Sequence, residues 1–286
     1  MATLKAIRKR IGSIRNTQQI TKAMKMVSAA KLRRAQEAAV EARPYAEKML
    51  ALYKNLVARV GREAHPLLAQ RDEKRIDLVL LTSDRGLCGG YNANLIRAAE
   101  AFIRRDAVGK EIQLVLVGRK GADYFRRRKG NIADRYVNIL SIGAEELAGE
   151  IAEKAIGRFI RGETEAVYIL YGRFRSALSQ VPTLEKLLPV ALPENEKPEQ
   201  QTEYLIEPDI ETLLASLLPR VVHVAIYRAL LEATASEHGA RMTAMDSATT
   251  NASKMMGSLT LQMNRARQAS ITRELMEIVG TAEALK

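Results

Sequence analysis

Cysteine is nearly missing from this sequence: Cys88 stands alone among 286 residues. That excludes an internal disulfide and any cysteine-based zinc site, and it fits a reducing compartment. Histidine is scarce as well. His65, His223 and His238 are scattered, none with a second histidine at helical spacing, so no metal site is expected. Long apolar runs are also absent. The longest, centred on Leu78-Val79-Leu80-Leu81, falls far short of the ~20 residues that span a bilayer. The chain is therefore expected to be soluble, or held at a membrane only through partners. Its start is basic and amphipathic, so no signal peptide is expected. The most informative shortage is of acids: residues 1 to 34 hold ten Lys or Arg and no Asp or Glu.

What is present supports a folded protein. Hydrophobic residues make up 47%, enough to bury a core and to argue against general disorder. The net charge of +12, concentrated in the basic start, points to an acidic partner: nucleic acid, anionic lipid or an acidic protein surface.

The hydrophobic pattern divides the chain. Residues 3 to about 57 read as one long helix, capped by Thr3, with Leu4, Ile7, Ile11 and Ile14 at alternating spacings of three and four. After a phase slip the pattern resumes at Ile20, Met24 and Val27, and Pro44 is expected to kink the helix. The middle of the chain, 75–192, alternates β-rich runs (Arg75 to Leu81, Glu111 to Val117, Glu165 to Tyr171) with helical stretches such as Ala144 to Ile160. That rhythm predicts an α/β unit with a largely parallel sheet. Pro193 to Glu203 is polar and proline-containing, a loop or hinge.

From about 209 to 282 the chain is helical again. Met242, Met245, Thr249, Ala252, Met256, Leu259, Met263 and Ala266 form a sustained coiled-coil seam, and its methionines adapt to irregular gaps. Some seventy helical residues would extend ~105 Å, too long for a compact domain to bury. The first helix, at ~80 Å, is the natural partner. The expected fold is thus mixed α/β: a long antiparallel coiled coil of the terminal helices (1–60 and 209–286) with a Rossmann-like domain inserted at 75–192 and a linker and foot at 193–208.

No motif assembles a catalytic site. The loop Thr82 to Asn92 follows a strand and precedes a helix, where phosphate-binding loops sit. Its glycines at 86, 89 and 90 match neither GxxxxGK[ST] nor GxGxxG, so a tight turn with positive φ is expected instead. His238 is expected to be an exposed helix residue, and Cys88 to fill a turn. Glu274 and Glu277, three apart on one helical face, fit surface charge better than acid–base work. No cofactor is expected. Residues 1 to 44 contain no aromatic side chain, against single-strand nucleic-acid binding. Duplex or anionic-lipid binding by the basic stripe remains the alternative.

Both ends resemble the gamma subunit of bacterial F-type ATP synthases. The front carries Ile7-Arg8 through Ile14, Asn16-Thr17, Ile20-Thr21-Lys22-Ala23-Met24 and Met26-Val27; the back carries Ala266 to Thr272 followed by Glu274, Glu277, Ile278 and Val279. Ser83 to Asn92 is similar to the family's inserted-domain loop, and Tyr204-Leu205 with Glu207-Pro208 to its foot. Thr281 departs from a glycine usual in the family. No transit peptide or added regulatory cysteine pair is seen, which favours a bacterial form.

The resemblance implies a non-catalytic rotor shaft at the cytoplasmic face of the bacterial inner membrane, coupling proton flow to ATP synthesis. Its implied partners are the alpha and beta subunits, the epsilon subunit and the c-ring, with membrane association through the c-ring and no nucleic acid. Arg267, Gln268, Thr272 and Glu274 would contact the stator ring, with Met24 across the seam near them. Lys22, Lys25, Lys31, Arg33 and Arg34 would face acidic stator loops. Tyr204 and Glu207 would dock the foot.

Overall fold

The computed structural model describes residues 4–57, 65–139, 142–191 and 209–284. Thr3 and the whole segment 193–208, including Tyr204 and Glu207, lie outside the described residues. Two long helices, α1 (Leu4–Val57) and α5 (Ile210–Ala284), bracket a five-stranded sheet. α1 continues through Pro44. The chain divides into two compact units, one formed by Met1–Ser28 with Met242–Lys286 and the other by Ala29–Arg241.

The larger unit is built on strands β1 (Arg75–Leu81), β2 (Glu111–Val117), β3 (Ile132–Tyr136), β4 (Ala166–Phe174) and β5 (Gln180–Leu188). Helices α2 (Tyr91–Ala101), α3 (Arg119–Arg127) and α4 (Ala144–Ile160) connect them. The sheet order is β3-β2-β1-β4-β5, with only β5 antiparallel. Parallel strands need crossovers that cover both faces, so their sequences are apolar throughout rather than alternating. In β1, Ile76, Leu78 and Leu80 face a core with α2 and α3. Val79 and Leu81 face a second core with α4 and α5.

The sequence rhythm finds β1, β2 and α4 at their observed bounds and β4 with an end three residues short, but β3 and β5 escape it. β3, IADRY, is short and carries two charges, while β5 contains Pro182 and Lys186. Both are edge strands, where a half-solvated face hides the apolar signal.

α5 contributes to the second core together with α4. Leu214, Leu218, Val222, Ile226 and Ala229 are all buried in the second core. By length and composition this helix contains a window apolar enough to cross a membrane, with mean hydropathy 1.4. Part of that window, 39%, is buried within the chain. No uninterrupted apolar run was needed to produce it.

The loop after β1 is the clasp between the α/β layers and α5. Its positive φ values fall on Leu87 (62°) and Gly89 (57°): the turn needs positive φ as expected, but of its three glycines only Gly89 takes it, and a leucine takes the other. Asn92 accepts from the Ser83 backbone N–H at 3.0 Å and donates to Ser83 Oγ at 2.8 Å, closing the turn on itself. The Asp84 carboxylate accepts from the backbone N–H groups of Arg119, Asn138 and Ile139 at 2.8 to 3.1 Å. Cys88 is buried in the turn. Arg241 of α5 then donates to the carbonyls of Gly86 and Arg85, each at 3.3 Å, and to Glu237 at 2.7 Å. Tyr91 adds a bond to the Ala233 carbonyl at 3.1 Å.

His238 corrects an expectation. It is 5% exposed rather than a surface residue, because the loop packs over this turn of α5. Burial, reinforced by the Arg241 and Lys31 cations, pushes its pKa down to about 4.

Gly118 follows β2 at φ 93°, where an added Cβ would lie 2.1 Å from the Thr82 carbonyl oxygen. Thr82 cannot retreat, since its N–H donates to the Val117 carbonyl at 2.8 Å. Gly118→Ala is expected to lose at least ~2 kcal/mol of stability, measured by denaturation followed through tyrosine fluorescence.

His238 yields a second prediction. Above pH 6.5 the imidazole is neutral folded and unfolded. Below it, the unfolded chain binds a proton that the folded one refuses until about pH 4. Its contribution therefore falls by ~2 kcal/mol between pH 6.5 and 5. His238→Gln should flatten that part of the stability profile; profiles that stay parallel would refute it.

Candidate functional surface

The smaller unit pairs the two chain ends. Gln18 Nε2 donates to Ser253 Oγ at 2.5 Å, the Thr21 and Thr249 hydroxyls are bonded at 2.8 Å, and Lys25 Nζ meets Asp246 at 2.6 Å. As residue numbers rise on α1 they fall on α5, so the pair is antiparallel.

The seam on α1 holds one phase without a slip. Ile7, Ile11, Ile14, Gln18, Thr21, Lys25 and Ser28 alternate spacings of four and three, and all are buried or partly buried. Ile20 and Val27, expected inside, are 60% and 56% exposed. The apolar pattern misleads here because the seam turns polar. One of the Thr21 and Thr249 hydroxyls donates to the other, which in turn can donate to a carbonyl of its own helix, Gln18 for Thr21 or Met245 for Thr249. Polar groups at such positions cost stability and fix register. On α5 the eight expected seam residues, Met242 through Ala266, are all buried or partly buried.

This register redistributes the expected contact residues. Met24 is partly buried and sits beside Lys25, whose partner is Asp246. Arg267 and Gln268 lie about twenty residues further along α5, ~30 Å of helix rise. Met24 is therefore not near them. Arg267, Gln268, Thr272 and Glu274 are exposed, with Glu274 accepting from Ser270 Oγ at 3.1 Å.

The five expected stator-facing cations are not equivalent. Lys25 spans the seam to Asp246. Arg33 pairs with Glu37 at 2.8 Å. Lys31, in the larger unit, is partly buried and acts electrostatically on Glu237 and His238. Only Lys22 and Arg34 are exposed without a carboxylate partner among the described residues.

A surface not singled out beforehand is the apolar one. Residues 271 to 281 are all exposed, including Ile271, Leu275, Met276, Ile278 and Val279. Among the described residues α1 starts at Leu4, opposite the region of Ala266, so residues 271 to 281 face no described part of α1. On α1, Ile20, Met26 and Val27 add a second exposed apolar group. Contiguous exposed apolar side chains of this size mark interaction surfaces.

Comparison with known proteins bears on what that surface belongs to. The family model described as ATP synthase matches residues 3–285. The ATP synthase gamma chain of Geobacter metallireducens is 51% identical over 287 residues, and that of Anaeromyxobacter sp. 50% over 290, each with full coverage of both chains. That of Pelotomaculum thermopropionicum is 49% identical over 286 residues, again with full coverage. Among solved structures, a chain of the Tetrahymena thermophila mitochondrial ATP synthase central stalk and c-ring matches at TM-score 0.61 and 27% identity. It covers 80% of this chain and 99% of that one. A chain of the Euglena gracilis mitochondrial ATP synthase assembly of OSCP, F1 and c-ring shares the fold at TM-score 0.67 and 20% identity, covering 99% and 94%. With the family model and these relatives spanning its full length, this chain belongs to the family of ATP synthase gamma chains.

Proposed function

We infer that this chain is the central rotor shaft of an F-type ATP synthase, coupling proton flow through the membrane sector to ATP synthesis and hydrolysis. The observation that carries the mechanical part is the bare apolar end of α5, Ile271 to Val279, which has no described partner in its own chain. Covering such a surface removes apolar area from water and is favourable.

A ring of alternating alpha and beta subunits supplies that enclosure, and the α/β unit stands outside it. Non-directional apolar contacts suit a turning shaft, because they can be exchanged at each angle without breaking a deep anchor. Arg267, Gln268, Thr272 and Glu274 hydrogen-bond to stator loops at particular angles. Lys22 and Arg34 meet acidic stator loops directly, through contacts that solvent screens and remakes. Lys25 and Arg33 join them by giving up exposed internal pairs worth at most ~1 kcal/mol each. The chain is non-catalytic, and ATP chemistry belongs to the beta subunits. The foot, with Tyr204 and Glu207, docks on the epsilon subunit and the c-ring at the cytoplasmic face of the bacterial membrane.

Met24→Lys adds a cation at a partly buried position of α1, next to Lys25. In inverted membrane vesicles the variant is expected to hydrolyse ATP while proton pumping and ATP yield fall. Pumping and yield equal to the unaltered enzyme would overturn the coupling role of this face. Ile271→Asp with Ile278→Asp should reduce co-purification with the alpha and beta subunits; undiminished assembly would remove the α5 end from the contact.

A further inference from the structure

Segment 193–208, the foot in the rotor reading, is joined by the chain to β5 at one end and to α5 at the other. A turning force applied there reaches the shaft through those two elements, and it arrives in full only if they stay fixed to each other. Much of the contact between α5 and the sheet is apolar, with Leu218, Val222, Ile226 and Ala229 in the second core. Apolar contact opposes separation but has no direction. A charge-assisted hydrogen bond fixes distance and angle as well.

One polar cluster ties β5 to α5 directly. Glu185, in the middle of β5, accepts from three donors. Arg228 of α5 donates to its Oε2 at 2.9 Å, and the Tyr171 hydroxyl of β4 donates to its Oε1 at 2.9 Å. Arg173 of β4 bonds to the same Oε1. Glu232 stands one turn beyond Arg228 on the same face of α5, its carboxylate 3.9 Å from Arg173 and 4.0 Å from Arg228. The two guanidiniums and two carboxylates balance in charge. Tyr171 is fully buried, which pushes its hydroxyl pKa up to about 12, so it remains a donor throughout the physiological range.

α1 stands apart from these side chains. A groove of about 1200 Å³ runs between it and this stretch of α5, with Arg173, Arg228 and Glu232 on its wall. Val40 and Tyr45, on the α1 side of the groove, are exposed. The cluster and the groove both lie within the larger unit, Ala29–Arg241, so the joint is internal to it.

We propose that Arg173, Glu185, Arg228 and Glu232 are positioning residues for torque transfer, keying α5 to the edge strand β5 so that the two elements flanking the foot turn as one. The proposal rests on the rotor reading. A rim of charges that only stabilised the edge of the core would act differently. Its loss would lower the amount of assembled enzyme, and hydrolysis and pumping would fall together. A loosened joint leaves the catalytic subunits intact and loses work only when the shaft turns against a load, which here is the proton gradient.

The test uses inverted membrane vesicles carrying the assembled enzyme with Glu185→Gln, Arg228→Gln or both. ATP hydrolysis per assembled enzyme is expected to hold, while the steady proton gradient falls about two- to fivefold, the range of an ion pair of this exposure. The double variant should lose no more than the worse single one, since both remove the same bond. Arg228→Lys, which keeps the charge without the planar fork, should lie between. A gradient unchanged in both single variants would overturn the proposal, as would hydrolysis and pumping that fall in proportion to assembled enzyme. So would losses that add in the double variant. Co-purification of the unaltered chain with alpha and beta subunits judges the rotor reading separately. Its absence removes that reading, and its presence with an unchanged gradient removes the joint alone.

Discussion

A helix of 75 residues cannot bury itself, and the architecture follows from how α5 meets that constraint segment by segment. Residues 214 to 233 find the sheet, where Leu218, Val222 and Ile226 complete the second core. Glu237 to Arg241 find the loop after β1, whose backbone carbonyls accept from the arginine. Asp246 to Ser253 find α1 through side-chain hydrogen bonds. Ile271 to Val279 find nothing within the described chain. Each partner differs in chemistry, so one helix serves as core element, anchor, half of a coiled coil and open contact surface.

The coiled-coil segment is inverted relative to an ordinary hydrophobic seam. Gln18, Thr21, Lys25 and Ser28 stand at interior positions while Ile20, Met26 and Val27 point outward. A purely apolar interior drives association strongly but tolerates slippage; paired hydroxyls and a lysine–aspartate contact hold one register at lower stability. The outward residues then supply apolar area to whatever surrounds the pair. Stability is exchanged for a surface directed at a partner, which suits a part that works inside an assembly.

The Arg241 clasp shows how a buried polar cluster can be structural rather than catalytic. Asp84, Asn92, Arg241 and Glu237 are the residue types of an active site, and the loop has the position of a phosphate-binding turn. Their hydrogen-bonding groups are nonetheless committed to backbone groups and to one another. His238 beside them is held neutral by burial and two cations.

Strand and helix periodicity in the sequence alone determined the mixed α/β class, the long terminal helices, the three central strands and the methionine seam of α5. Buried faces demand a regular apolar repeat, and such repeats are visible without coordinates. Tertiary structure decided what periodicity does not encode. It paired Thr21 with Thr249, turned Ile20 and Val27 outward, and placed the edge strands β3 and β5. It also buried His238 and gathered Arg173 and Arg228 around Glu185. In each of these, the deciding partner is a polar group or a half-solvated face far away in sequence, and a local pattern carries no trace of it.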